Sequence, residues 1–136
     1  MSKLIRLIYG KKGSGKSKKL LDMANAEVET AAGNIVYIDD NNRCMFDLKH
    51  EIRFINTADY GIDNADKLYG FVCGILSGNF DISSIYLDGL KKLIKNENKE
   101  LAQLLSQFEN LFADIDAHIV VSGSAEAPDF LKKYIS

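Results

Sequence analysis

Short apolar runs of strand length alternate along this chain with stretches whose apolar residues recur at helical spacing. Leu4-Ile5-Arg6-Leu7-Ile8-Tyr9 predicts a buried first strand. Leu20, Leu21, Ala24, Val28 and Ala31 then share one side of a helix over residues 16–32, with Gly33 placed to end it in a left-handed cap. A second buried strand is predicted over 34–38, a short turn or loop over 44–50, and a third strand over 52–55. A helix over 63–77 carries Leu68, Phe71, Val72, Ile75 and Leu76, with Gly78-Asn79 as its stop and Gly70 and Gly74 spaced for close packing against a neighbour. The run 82–88 reads as a strand ending in Asp88. The lysine-rich link 91–99 reads as solvated surface, and Leu101, Leu104, Leu105, Phe108, Leu111 and Phe112 form the apolar stripe of the next helix. A last strand over 117–121 runs into Ser122-Gly123-Ser124, and the tail 128–136 predicts a short docking helix through Phe130, Leu131, Tyr134 and Ile135.

Strands alternating with helices predict an α/β protein of three layers, α/β/α, around a mainly parallel five-stranded sheet, with residues 1–136 forming one domain. The proportions, 46% hydrophobic and 26% charged residues, are ordinary for a water-soluble domain. The longest apolar runs fall far short of the roughly 20 residues a membrane span needs, and the N-terminus lacks a signal-peptide pattern. A cytoplasmic location without a membrane span is therefore the expectation. Cys44 and Cys73 lack metal-ligand spacing and read as reduced thiols.

A net charge of −2 argues against a chain whose main role is to coat nucleic acid. The charge is unevenly spread, however. Lys3, Arg6, Lys11, Lys12, Lys16, Lys18 and Lys19 precede the first acid, Asp22. A pocket for a triphosphate accounts for this block more simply than a nucleic-acid surface, which is not excluded.

The block contains Gly10-Lys11-Lys12-Gly13-Ser14-Gly15-Lys16-Ser17, a match to G-x-x-x-x-G-K-[ST], the P-loop or Walker A pattern, set between a strand and a helix as that pattern requires. Gly10, Gly13 and Gly15 permit backbone conformations that turn successive N–H groups onto phosphate oxygens. The following helix adds a positive partial charge. Lys16 is expected to reach the β- and γ-phosphates of ATP and Ser17 to ligate Mg²⁺, with Lys11, Lys12, Ser14 and Lys18 lining the cradle. The strand ending in Asp88 supplies the second landmark, a carboxylate placed to hold magnesium-bound water beside Ser17. The cluster Asp39-Asp40-Asn41-Asn42-Arg43 should lie on the same sheet edge, since parallel sheets bind ligands at the carboxyl ends of their strands.

Two strands between the loop and Asp88, and one strand after it, make the order of elements resemble the RecA-like branch of P-loop ATPases. The resemblance implies a catalytic acid after Tyr37-Ile38, a Walker B segment at Ile85-Tyr86-Leu87-Asp88, and a γ-phosphate sensor at Ser122 or Ser124. By register the family's catalytic glutamate falls on Asn41, leaving Asp40 and then Asp39 as the acids to orient water, and Gly89 stands where many such ATPases keep a glutamate. Arg43 is the candidate for contacting the γ-phosphate. Through Ile8-Tyr9-Gly10-Lys11-Lys12, Tyr37-Ile38-Asp39-Asp40, Tyr86-Leu87-Asp88-Gly89-Leu90 and Phe130-Leu131-Lys132-Lys133-Tyr134 the whole chain is also similar to small stand-alone ATP-binding proteins of anaerobic Gram-positive bacteria, loosely labelled twitching-motility ATPases. The implied function is Mg²⁺-ATP binding with slow hydrolysis. A nucleotide-dependent binding switch, working as a homo-oligomer or with a protein partner, is the alternative. A small-molecule kinase, which usually needs an arginine-rich lid, is disfavoured by a chain whose only arginines are Arg6, Arg43 and Arg53.

Overall fold

The computed structural model describes residues 5–9, 15–78, 81–90, 93–94, 97–113 and 118–123. Along the chain these form β1 (Ile5–Tyr9), α1 (Lys16–Glu27), β2 (Asn34–Asp39), β3 (Ile52–Asn56), α2 (Ala65–Gly78), β4 (Ile82–Leu87), α3 (Glu97–Phe112) and β5 (His118–Gly123). Short 3-10 turns occupy Met45–Asp47 and Thr57–Tyr60. The chain is thus mixed α/β. Every strand pairing is parallel, in the order β1-β5-β4-β2-β3. None of the described helices is long and apolar enough to cross a membrane.

Strands buried on both faces explain why the apolar runs lack polar alternation. Val36, Ile38, Ile82, Ile85 and Leu87 face a core built with α2 and α3, while Ile35, Tyr37 and Tyr86 face a second core with Leu20 and Ala24 of α1. Helices therefore cover both sides of the sheet. The α3 stripe is fully committed, since Leu101, Leu104, Leu105, Phe108 and Phe112 are all buried.

Three local expectations are corrected. The first concerns the end of α1, which lies at Glu27 instead of near residue 32, with Val28 as a right-handed cap. Gly33 is not the left-handed terminator, for the described glycines of positive φ are Gly15, Gly61 and Gly89. Gly33 is required for a different reason: a Cβ there would overlap the Asp81 carbonyl group, whose oxygen accepts the Asn34 N–H at 2.6 Å, while the Gly33 N–H donates to Ser83 Oγ at 2.7 Å.

Second, Gly70 and Gly74 are exposed, and an added Cβ at either would meet nothing within 4 Å among the described residues. The buried side of α2 is Leu68, Val72 and Leu76 instead. Third, the link before α3 is anchored, because Leu90, Leu93 and Ile94 are buried and the Leu93 and Ile94 N–H groups donate to the Leu90 carbonyl. Helix α3 itself begins within the segment read as solvated link. The tail 128–136 and Asn79 lie outside the described residues.

A polar tie fixes α1 to the sheet. Glu27, in the last turn of α1, accepts hydrogen bonds from Ser84 Oγ and Tyr86 Oη of β4, both at 2.6 Å. A carboxylate is poorly placed at a helix C-terminus, and these two hydroxyl donors offset that. They also couple the helix that follows the glycine-rich loop to the strand that leads into Asp88. Tyr86→Phe keeps the ring, which stacks on Tyr37 at 6.0 Å between centroids, and removes only the hydroxyl. Stability should fall by about 1–2 kcal/mol, measured by urea unfolding; an unchanged midpoint would show that the tie contributes nothing.

Candidate functional site at the carboxyl edge of the sheet

Because all pairings are parallel, the C-terminal tips of the strands gather on one edge. Helix α1 opens there, directly after the loop that follows β1. Gly15 is its N-cap in the left-handed conformation, φ +84°, and its carbonyl accepts the Lys19 N–H at 3.0 Å. None of the described residues crowds that position, and the φ of +84° is one that favours glycine. A glycine cap has no side chain to satisfy the first amides of the helix, and the first turn holds no acid. The positive end of α1 is thus left by its own helix for an anion.

Ser17 is half-buried in this first turn. Lys18 points along the exposed helix surface, pairing with Asp22 one turn on at 3.0 Å, so the structure does not bring its ammonium to the loop. Lys16 begins α1, and its side chain is outside the description. Gly10, Lys11, Lys12, Gly13, Ser14 and Ser124 lie outside the described residues. The backbone of Ser122 sits opposite Ile8 near the tip of β5, beside the strand that leads into the loop.

The second half of the site comes from β2 and β4. Tyr37 pairs with Tyr86 and Ile38 with Leu87, and the Asp88 N–H donates to the Ile38 carbonyl at 2.8 Å, carrying the ladder one step beyond β4. Side chains alternate along strands. Asp39 and Asp88 therefore follow Tyr37 and Tyr86 on the α1 face and stand side by side on neighbouring strands. Both are buried, at 0% and 5% exposure. At a strand spacing of about 4.8 Å and an effective dielectric of about 20, two ionised carboxylates repel by about 3 kcal/mol. The chain carries a short repeat here, Tyr37-Ile38-Asp39 and Tyr86-Leu87-Asp88, which was legible in the sequence as two strand ends but not as an adjacent pair.

Local bonds hold this arrangement. Asp39 Oδ1 accepts the Asp40 N–H at 2.7 Å, and Asp88 Oδ1 accepts the Gly89 N–H at 2.8 Å. Gly89 has φ +67°, and a Cβ on it would overlap both Asp39 Oδ1 and Asp40 Oδ1. Glycine is thus the residue that fits between the acids. Asp40 is half-buried and accepts from Asn41 Nδ2 at 2.6 Å; Asn41 Oδ1 in turn accepts from the Arg43 backbone N–H and from Nε, both at 2.9 Å. Arg43 is exposed, held by the loop it belongs to.

Burial pushes the Asp39 carboxyl up to about 7; its bond from the Asp40 N–H opposes the rise, and the neighbouring Asp88 and Asp40 charges add to it. Burial, with Asp88, Cys44 and Asp39 nearby, also raises the Tyr37 phenol above its ordinary range. The Cys44 thiol is raised by burial and by the Asp39 and Asp88 charges, so it stays protonated and is not a reactive thiolate.

Among the described residues Asp39 Oδ2 and Tyr37 Oη are buried and form no close hydrogen bond, Tyr37 lying within reach of Asp88. Buried polar atoms in that condition mark places where an ion or water completes the structure. Among the described residues no group of three or more His, Cys, Asp or Glu is arranged to hold a metal alone. Mg²⁺ keeps several waters and takes one or two carboxylates together with substrate phosphates, so Asp39 and Asp88 are the described residues that could hold one. The residues present fit a magnesium ion bound with a nucleotide.

The raised Asp39 carboxyl has a defined consequence for the metal-free protein. Between about pH 4 and 7 the folded chain holds a proton that the unfolded chain has released, so this group's contribution falls as pH rises through that window, by at most about 4 kcal/mol. Urea unfolding at pH 5 and pH 8 should show Asp39→Asn gaining on the wild type at the higher pH. A pH-independent difference between the two proteins would contradict this. Gly89→Ala, placed against the same carboxylates at positive φ, should lower stability by about 1–3 kcal/mol in the same assay.

Comparison with protein-family models and with curated proteins found no match for this chain.

Proposed function

We propose that the chain is a P-loop nucleotide-binding protein of RecA-like type that binds Mg²⁺-ATP and hydrolyses it slowly, on a three-layer α/β/α scaffold. The observation that carries the reading is the meeting, on one sheet edge, of two parts. One is a helix N-terminus free of its own acids, preceded by the glycine-rich loop. The other is a pair of buried carboxylates ending β2 and β4. Each half alone is weak, but together they match the two charges of a magnesium-nucleotide complex. The strand order supports the RecA-like assignment, with β5 between the loop strand β1 and the Asp88 strand β4.

In this reading the glycine-rich backbone and the N-terminus of α1 bind the phosphate chain. Lys16 neutralises charge developing on the γ-phosphoryl group. Ser17 and Asp88 hold the magnesium ion, Asp88 through bound water, and the ion supplies charge neutralisation between β- and γ-oxygens. Asp40, beside the pair and still partly open to solvent, orients the attacking water; Asp39 is the deeper of the two candidate acids. Ser122 stands next to β1, where loss of the γ-phosphate is sensed.

Slow turnover follows from what surrounds Asp88. A glutamate at position 89 would need a Cβ where the Asp39 and Asp40 carboxylates lie, so the water-activating acid of many relatives has no room here. The same observation favours, as a second reading, a switch in which bound ATP sets the affinity for a partner and little is hydrolysed.

Calorimetric titration with ATP tests binding directly. Affinity should weaken by about 100-fold in Lys16→Ala and by at least about 10-fold on removal of Mg²⁺. Equal affinity in both proteins, with and without Mg²⁺, would refute the proposal. Phosphate release that vanishes in Asp40→Asn would favour the ATPase over the switch.

A further inference from the structure

The register between β2 and β4 carries an inference about Asp39. We propose that Asp39 and Asp88 together form a divalent-cation site, in which Asp39 acts as a second metal-side carboxylate and the ion is held before nucleotide arrives. Asp39 was expected to orient water, but its position is that of a partner to Asp88. The two residues continue the Tyr37–Tyr86 and Ile38–Leu87 pairing by one step, face α1, and are both withdrawn from solvent.

Two observations point to a ligand between them. Asp39 uses Oδ1 on the Asp40 N–H and leaves Oδ2 buried with no hydrogen-bond partner. Tyr37 Oη, two residues earlier on the same face, is also fully buried and forms no close hydrogen bond among the described residues; it lies within reach of Asp88, whose charge acts on it together with those of Cys44 and Asp39. Arg43, the described cation on the neighbouring loop, is exposed and bonded to Asn41, so it does not neutralise the pair. Carboxylate oxygens select a hard ion, Mg²⁺ or Mn²⁺, over a soft one.

The inference takes from the proposed function only the identity of the ion, and its test omits nucleotide. Thermal unfolding of the full chain would be followed in metal-free buffer, in MgCl₂, in MnCl₂ and in NaCl of equal ionic strength. The wild type should rise by several degrees with either divalent salt and not with NaCl. Asp39→Asn, relieved of one buried charge, should start above the wild type without metal and lose the rise, whereas Lys16→Ala should keep it. Equilibrium dialysis of Mn²⁺ against the wild type should find one ion per chain, and needs no variant to fold. No divalent-specific rise in the wild type, no bound Mn²⁺, or an undiminished rise in Asp39→Asn would overturn the inference. A divalent response without any ATP binding would leave this site standing and refute the nucleotide reading instead. ATP binding that needs Mg²⁺ but ignores Asp39→Asn, with no response to the metal alone, would do the reverse.

Discussion

Two carboxylates placed side by side at the tips of adjacent parallel strands, and both withdrawn from water, constrain much of the rest of the molecule. Asp39 and Asp88 are brought together by the register of β2 on β4, in which Tyr37 and Tyr86 below them stack on each other and Tyr37 also stacks on Phe54. Burying two like charges in contact is unfavourable by several kcal/mol unless a proton or a cation intervenes. Gly89 lies against this pair at positive φ, a conformation that glycine adopts without strain.

The other half of the edge is the N-terminus of α1, and its position is set from its far end. Glu27 reaches the hydroxyls of Ser84 and Tyr86 on β4, while Leu20 and Ala24 pack into the core beneath. The helix that presents the glycine-rich loop and the strand that leads to Asp88 are thereby joined by a short polar bridge as well as by apolar contact. The N-terminus of α1 and the carboxylate pair are thus held on one core, and the proposed ligand, a magnesium-bound triphosphate, carries a charge to match each.

Much of the scaffold was legible in the sequence because buried parallel strands leave continuous apolar runs, as in Ile35-Val36-Tyr37-Ile38 and Ile85-Tyr86-Leu87. The helical stripe of α3 was equally plain, since every third or fourth residue is large and apolar. What escaped was decided by contacts distant in sequence. Gly33 reads as a helix terminator, yet its partner is the Asp81 backbone, and no local pattern announces that. Gly70 and Gly74 read as a packing motif and proved to be exposed. Glu27 carries no local signal at all, because its partners lie more than fifty residues away on β4. At the site, Asp39 and Asp88 were each legible as strand ends, whereas their adjacency depends on the order of strands in the sheet.

The account joins the phosphate cradle and the carboxylate pair into a single magnesium-nucleotide site, and it stands or falls on that union. A crystal structure of the full chain with a non-hydrolysable ATP analogue and Mg²⁺ tests it most directly. The account predicts the phosphates on the N-terminus of α1 and one ion between Ser17 and the Asp39–Asp88 pair. An analogue bound away from that edge, or phosphates in the loop with no ion facing the carboxylates, would contradict it.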